Sequence, residues 1–431
     1  MRADAVSGLF EAILPREVIL DAVRRLGVQK RVRFFDPVEM VIQLILLGGT
    51  AEAGRMGAAI RDYSDVVGKR VARSAAYRWF DEEFLALMRD LSALALKYTE
   101  AAPRHLPGVL SGRRDWRVID STTVKLLRAL AEDYPGTGDY AALKVHVELS
   151  LGCENVVDYH ITPARRHDSA ELQVDETRKG TGLIVDLGYV SHKLLKDCRD
   201  HDVQVVVRLK GGWKLFVDTA VKAGELADWE FPDSLAAHFD GAALPATLEV
   251  PLDIDVRLGD ADGDIVARLV NVETPEGWRA YLTTVPRATH DAEAVAFLYR
   301  LRWGVELQNK LAKTGCQLDE IDAVKPVSAE ILVHASMLAS IIANGLTHLE
   351  HVDQGLVGEK VVKLKRPPHH AMLMWKCVIT SAPRIAALLA HPEATHEKGW
   401  DHVARFLEGL AQDPNWRASP SPIDDAKGRN A

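Results

Sequence analysis

The sequence predicts a mixed α/β chain with an all-helical N-terminal region, a central core of strands and helices, and a helical C-terminal region. Three observations predict it. Apolar residues recur at three- and four-residue spacing as far as about residue 110. From Trp116 the pattern changes to short alternating or β-branched runs. Near Asp291 the helical spacing returns and lasts almost to the end.

Residues 18–26, 37–47, 51–64 and 74–98 are expected as helices of an N-terminal all-α domain, 1–112. Within it a basic stretch, Gly68-Lys-Arg-Val-Ala-Arg-Ser74, leads into Ala75-Ala-Tyr-Arg-Trp, with Ser74 placed to cap a helix. Helix, turn and a capped helix with arginines at its start is the pattern of a DNA groove-binding element, and Arg70, Arg73 and Arg78 are its candidate contacts. A surface loop between two bundle helices has the same pattern.

Strands are expected at 116–120, 143–150, 156–162, 183–186 and 203–209, with helices at 169–178 and 191–200. Three strands, then helix, strand, helix, strand, is the order of a ribonuclease H-like (RNase H-like) core, in which the first and fourth strands lie side by side. Residues 113–210 form its first part. Gly211 and Gly212 then open a mostly β insertion, 211–288, read as leaving that sheet, with strands at 248–258, 265–272 and 279–285 and a hairpin turn at Asp262-Gly263. The core resumes at 289–350, where 328–350 is a long apolar helix expected to brace the one before it. A C-terminal helical region, 351–411, includes Lys363, Lys365 and Arg366 before a Pro-Pro-His-His run read as a solvated loop. Residues 412–431 have the composition of a mobile tail.

Composition narrows the function classes only in part. The chain has 431 residues and a formal charge of -8, and a protein that lives by non-specific attraction to phosphate is normally basic. A local basic surface remains compatible with this balance. The four cysteines, Cys153, Cys198, Cys316 and Cys377, show no metal-binding spacing and fit a reduced cytosolic protein. The apolar runs at 38–47 and 331–346 are interrupted by polar residues, so buried helices are expected rather than membrane spans.

The chemistry concentrates at three acidic positions. Asp120 follows Val-Ile and Asp186 follows Leu-Ile-Val, which sets each carboxylate where a strand leaves the core and where an unpaired charge is costly. A single aspartate at a strand end is usually a turn or cap residue; two of them on strands that should be neighbours invite another reading. The third position lies in Tyr299-Arg-Leu-Arg-Trp-Gly-Val-Glu-Leu-Gln-Asn-Lys-Leu-Ala-Lys313. At 100° per residue, Tyr299, Arg302, Glu306 and Lys313 project within roughly 60° of one another, and Phe297, Leu301, Val305 and Ala312 take the neighbouring arc. On an arbitrary helix such a stripe is a solvated face with one i,i+4 ion pair.

The order Tyr, two residues, Arg, three residues, Glu, six residues, Lys resembles the signature of the YREK family of bacterial insertion-sequence DDE transposases. Ile119-Asp-Ser-Thr-Thr-Val-Lys-Leu and Val185-Asp-Leu-Gly-Tyr-Val also resemble that family's two acidic motifs, and Leu143-Lys-Val-His-Val-Glu-Leu-Ser-Leu-Gly and Thr162-Pro-Ala-Arg-Arg-His-Asp-Ser resemble the segments between them. The resemblance covers roughly residues 115–350. Leu187 departs from it, standing where many relatives have an Arg. The resemblance implies a metal-dependent DNA transposase with Asp120, Asp186 and Glu306 as catalytic residues and metal ligands. It further implies that Tyr299 and Arg302 hold a phosphate of the strand opposite the cut and that Lys313 contacts the transposon end. Relatives nick the end, close a hairpin with the freed 3′-hydroxyl, reopen it with water and join the end to target DNA. They act as homodimers on paired terminal inverted repeats. Such a protein would be cytoplasmic and nucleoid-associated, with no membrane partner.

The residues alone support the same chemistry. Convergent carboxylates are hard oxygen ligands suited to two Mg2+ or Mn2+ ions, and no Ser/His or Cys/His nucleophile is evident. Arg208 and Lys210, at the end of a core strand, would reach bound DNA or serve as ordinary strand-end charges. Trp278 and Trp303 are candidate rings for a base flipped out at a hairpin, although Trp303 would also suit a core. A DNA-binding relative without catalysis and an unrelated carboxylate-pair glycosidase are the competing readings.

Overall fold

In the computed structural model the described residues are 1–28, 35–46, 55–209, 211–217, 244, 249–258, 265–319, 321–355, 368–390, 396–415 and 422–427. They fall into two compact units. The first takes in Met1–His105, Ser121–Arg165 and Glu306–Ala431, and the second Leu106–Asp120 and Arg166–Val305. The N-terminal helices therefore share a unit with the C-terminal ones.

The chain begins with α1 (Ala3–Ile13), α2 (Arg16–Leu26), α3 (Pro37–Leu46), α4 (Arg55–Val66), α5 (Arg73–Ala76) and α6 (Glu82–Ala101). The helix expected at 74–98 is thus two elements. Asp81 starts the second one, its side chain accepting from the Phe84 N–H at 3.1 Å, which satisfies one of the free donors of a helix start. Ser74 does not cap: it lies inside α5, whose N-cap position is Ala72.

The strands are β1 (Asp115–Leu126), β2 (Ala141–Ser150), β3 (Asn155–Pro163), β4 (Thr181–Val185), β5 (Gln204–Arg208), β6 (Leu215–Val217), β7 (Leu252–Leu258), β8 (Val266–Thr274) and β9 (Gly277–Thr283). Their order is β3-β2-β1-β4-β5-β9-β8-β7-β6, and β1 runs from one unit into the other. β1 and β4, first and fourth in the chain, are parallel neighbours. The inserted strands correct the expectation that they leave the sheet. β9 pairs antiparallel with β5, through Val206–Thr283, Val207–Leu282 and Arg208–Tyr281, and carries β8, β7 and β6 outward. The reason is that β5 is buried along Gln204–Val207 and would otherwise leave an unpaired edge. The turn expected at Asp262-Gly263 lies outside the described residues.

Between β4 and β5, α7 (His192–Asp200) begins where Ser191 accepts from the Leu194 N–H. The helix expected at 169–178 is not formed. Two short 3-10 turns, Asp168–Ala170 and Glu176–Arg178, take its place, and Asp175 caps the second by accepting from the Thr177 N–H at 2.9 Å. The core of the second unit collects Ile119, Leu183, Val185, Val205, Val207 and Leu282 with Leu194 and Leu195 of α7 and the inner residues of β7 and β8.

After β9 come α8 (Ala292–Arg300), α9 (Trp303–Lys310), α10 (Pro326–Asp353), α11 (Ala371–Ala390), α12 (His396–Leu410) and α13 (Pro422–Ala426). α10 and α11 are long and apolar enough to cross a membrane, but most of the apolar stretch of α10 is buried in its own unit, where it packs against α1, α3, α6 and α11. Two further expectations are corrected there. His369 is not solvated: it is buried, with Nε2 2.9 Å from the Glu408 carbonyl oxygen. The expected mobile tail is docked at 422–427, where the Lys427 ammonium is 1% exposed and donates to Glu154 at 2.8 Å. A buried ammonium needs such a carboxylate, and composition alone did not reveal it.

Candidate active site

Strand register builds the site in the second unit. Ile119 pairs with Val185 across β1 and β4, Val185 with Val207 across β4 and β5, and Val207 with Leu282 across β5 and β9. All four are buried in one core. One residue further along lie Asp120, Asp186, Arg208 and Tyr281. Because side chains alternate along a strand, this second row stands on the opposite face. Neighbouring strands are about 4.8 Å apart, and the two aspartates directly follow register partners on adjacent strands, with Arg208 on the next strand. Both aspartates are half-buried.

The turn after Asp186 fixes where its strand ends. The Tyr189 N–H donates to the Asp186 carbonyl at 3.0 Å, and Tyr189 and Val190 bury themselves beneath it. A methyl group at Gly188 would lie 2.9 Å from Asp168 Oδ2, so a larger residue there would have to displace that carboxylate. Leu187 is half-buried.

The signature residues sit on a broken helix rather than on one continuous helix. Asp291 caps α8, accepting from the Ala294 N–H at 2.8 Å. At its end the Leu301, Arg302, Gly304 and Val305 N–H groups each donate to the carbonyl three residues back, which tightens the backbone between α8 and α9. In such a turn residues i and i+3 are nearly eclipsed. Tyr299 and Arg302 have this spacing, and the Arg302 guanidinium carbon lies 5.9 Å from the centre of the Tyr299 ring. Beyond α9 a widened π-type turn, Leu311–Gly315, holds Lys313. The phase computed from an ideal helix therefore does not extend to Lys313.

Tyr299 is electrostatically tied to the row on the sheet. Burial pushes its hydroxyl pKa up, Arg302 opposes that shift, Asp186 adds to it, and Arg208 opposes it. Its ring lies 5.2 Å from that of Tyr281. Tyr281 is a residue that the sequence did not single out. Its only signal was its place in the alternating run Arg279-Ala-Tyr-Leu-Thr, which looks like any strand.

Glu306 lies in the first turn of α9, where the N-terminal end of a helix favours negative charge. It is half-buried and belongs to the first unit. In that unit α10 braces α9: buried Gln308 donates to Ser340 Oγ at 3.0 Å and accepts from Asn344 Nδ2 at 2.6 Å. Among the described residues no group of three or more His, Cys, Asp or Glu side chains is gathered closely enough to hold a metal ion. The Asp120–Asp186 pair nevertheless suits a divalent cation by donor type and strand spacing.

Of the other candidates, Trp303 is 51% exposed and so is not core. Trp278 is half-buried and lines a groove of about 1470 Å³ with Tyr281, Phe297, Arg279 and Arg300. Asp253, Glu273, Glu276, Asp291 and Glu293 line the same groove, and this acidic wall disfavours a phosphate-bearing ligand. Arg70, Arg73 and Arg78 are exposed around α5, and the exposed Tyr77 lies among them. With four residues, α5 is too short to lie along a groove as a recognition helix. Lys210, Lys363, Lys365 and Arg366 lie outside the described residues. The four cysteines are buried thiols, none of them in a disulfide.

The transposase of insertion sequence element IS421 from Escherichia coli is 37% identical over 81 residues, 18% of this chain and 22% of that protein. The InsL protein of element IS186A from Escherichia coli K12 matches to the same extent, so the chain spans about a fifth of the length of these relatives. The transposase of element IS231F from Bacillus thuringiensis subsp. israelensis is 20% identical over 368 residues, 76% of each chain. Among solved structures, a piggyBac transposase synaptic complex with hairpin DNA aligns with a TM-score of 0.48 at 10% identity, over 95% of this chain and 86% of that one. Residues 111–342 match the family described as the transposase DDE domain. That segment is more than half of the chain and holds both aspartates, the signature turn and α9, and by this match the chain belongs to the transposase DDE domain family.

Proposed function

We propose that the chain is a DNA transposase that moves an insertion sequence by cut-and-paste, through phosphodiester hydrolysis and strand transfer. The observation that carries this reading is the register that sets Asp120 beside Asp186, with Arg208, Tyr299 and Arg302 around them. Asp120, Asp186 and Glu306 are the residues that would hold two Mg2+ or Mn2+ ions. Such ions supply activation of a water or 3′-hydroxyl on one side of a phosphodiester and stabilisation of the leaving oxygen on the other.

The chain's own residues position the DNA. Arg302 offers a guanidinium fork to a phosphate, and Tyr299 adds a hydroxyl donor beside it. Arg208 neutralises a second phosphate at the end of β5, Lys313 contacts the transposon end, and Lys210 reaches the bound strand. The exposed Trp303 is the better placed ring for a displaced base, because Trp278 lies in an acidic groove. In the hairpin route, the 3′-hydroxyl freed by the first nick attacks a phosphodiester of the opposite strand, the flanking DNA leaves with a 3′-hydroxyl as the hairpin bond forms, and water later hydrolyses that bond. The helices of region 1–112, through Arg70, Arg73 and Arg78, add contacts to double-stranded DNA at the terminal inverted repeats. Two copies act on paired ends and then on target DNA, in the bacterial cytoplasm at the nucleoid.

The test is Mg2+-dependent cleavage of labelled duplex carrying the element's ends. Asp120→Ala, Asp186→Ala and Glu306→Ala should each abolish cleavage while end binding in EDTA persists. Retained cleavage by any of the three removes that residue from the site. A DNA-binding relative without catalysis is the second reading. Binding of ends by the wild-type chain without cleavage in either Mg2+ or Mn2+ would establish it.

A further inference from the structure

We propose that Tyr281, which lies outside the signature, is a positioning residue for Tyr299 and, through it, for Arg302. The inference rests on the reading that Tyr299 and Arg302 clamp a DNA phosphate.

Three observations support it independently. Register places Tyr281 opposite Arg208, in the row that continues through Asp186 to Asp120. Its ring lies 5.2 Å from that of Tyr299, tilted by 48°, within the range of a favourable aromatic pair. It is only 5% exposed and sits on a strand paired on both sides, so its ring is a fixed surface.

Tyr299, by contrast, stands at the last turn of α8, just before the break that leads into α9. The Tyr299 ring meets a guanidinium from Arg302 and an aromatic ring from Tyr281. Tyr281 belongs to the sheet, and so it ties the clamp to the strands that carry the two aspartates. The Tyr281 hydroxyl is held above its ordinary pKa by burial, while Arg208 and Arg279 oppose the shift. It therefore stays a neutral phenol, and the ring supplies the contact.

The predicted effect follows from the sensitivity of bound geometry. A misplacement of about 1 Å costs on the order of a hundredfold in rate. Tyr281→Leu keeps an apolar side chain but removes the ring, and Tyr281→Phe keeps the ring and removes only the hydroxyl. In the full chain, with duplex DNA carrying the element's ends, binding in EDTA and single-turnover cleavage at saturating protein in Mg2+ are the two readouts. Tyr281→Leu should cleave at least tenfold more slowly with binding within about threefold of wild type, and Tyr281→Phe should restore the rate. The double variant Tyr281→Leu/Tyr299→Leu should be no slower than Tyr299→Leu alone, as expected when one residue acts through the other.

A Tyr281→Leu rate within twofold of wild type overturns the proposal, as does a double variant whose losses multiply. Failure of Tyr281→Phe to restore the rate overturns it too, since the ring would then not be the acting part. If Tyr299→Leu itself cleaves at the wild-type rate, the phosphate-clamp reading falls and takes this inference with it. A slow Tyr299→Leu with an unaffected Tyr281→Leu overturns this inference alone.

Discussion

Gly182 of β4 lies against the indole of Trp116 on β1, so closely that a methyl group at Gly182 would stand 2.3 Å from Cε3 of the ring. The two residues are register partners, four residues before Asp120 and Asp186 on the same pair of strands. Trp116 is fully buried and has no room to retreat. Gly182→Ala should therefore destabilise the fold by roughly 1–3 kcal/mol, the cost of overpacking a filled core. Urea unfolding of the two proteins measures it, and an unchanged midpoint would show that the ring moves freely.

Gln308 links the Glu306 helix to α10, with both ends of its amide engaged and the side chain buried. Gln308→Leu keeps the volume but leaves Ser340 and Asn344 facing an apolar group, a loss of about 1–3 kcal/mol. Ser340 retains its bond to the Met337 carbonyl, so the lower half of that range is expected. If the brace also orients Glu306, cleavage should fall further than stability does. Unfolding midpoints and cleavage rates measured on the same preparations separate the two effects.

The positions of the core strands were legible because each is a local pattern. Each core strand is a compact apolar run, and the two aspartates are conspicuous where such runs end. The pairing of β9 with β5 was not legible, because nothing in 279–285 distinguishes a strand that closes an old edge from one that starts a new sheet. Residues 169–178 looked helical by composition, yet they hold few apolar anchors, and Asp175 captures the local backbone for a tight turn. The break between Tyr299 and Trp303 was hidden for another reason. A 3-10 turn and an α-turn share their i,i+3 neighbours, so the spacing of Tyr299 and Arg302 fits both. Tyr281 and the docking of Lys427 depend on contacts distant in sequence, and a single chain carries no local sign of these.

Arg268 is the centre of an ion network that ties the inserted strands to the start of α8. It is buried, donates through Nε to Asp253 at 2.7 Å, and donates through Nη1 to the carbonyls of Val285 at 3.1 Å and His290 at 2.8 Å. Arg287 joins Asp253 at 2.8 Å and Asp255 at 2.9 Å. Removing one partner of a buried pair costs roughly 3–5 kcal/mol. Asp253 is partly exposed and keeps Arg287, so Arg268→Met should fall near the lower end. Since His290 precedes the Asp291 cap of α8, the same change should slow cleavage by loosening the helix that bears Tyr299. Thermal unfolding and cleavage assays check the two halves, and a stable variant with full activity would contradict both.

His334 makes stability depend on pH. Its Nδ1 lies 2.6 Å from the Tyr159 hydroxyl and 2.9 Å from Ser92 Oγ, in the interior of the first unit. Burial pushes its pKa down from 6.5 to about 4, Glu330 works against that shift, and Arg89 adds to it. The folded protein therefore holds this imidazole neutral, while the unfolded chain binds a proton below about pH 6.5. The contribution is fully present above pH 6.5 and is lost progressively as the pH falls towards 4, where the penalty reaches on the order of 3 kcal/mol. His334→Gln has no proton to gain, so its stability should decline less between pH 6.5 and 4.5 than that of the wild type. Urea midpoints at half-unit pH steps give the two slopes, and equal slopes would mean that the proton taken up on unfolding belongs to another group.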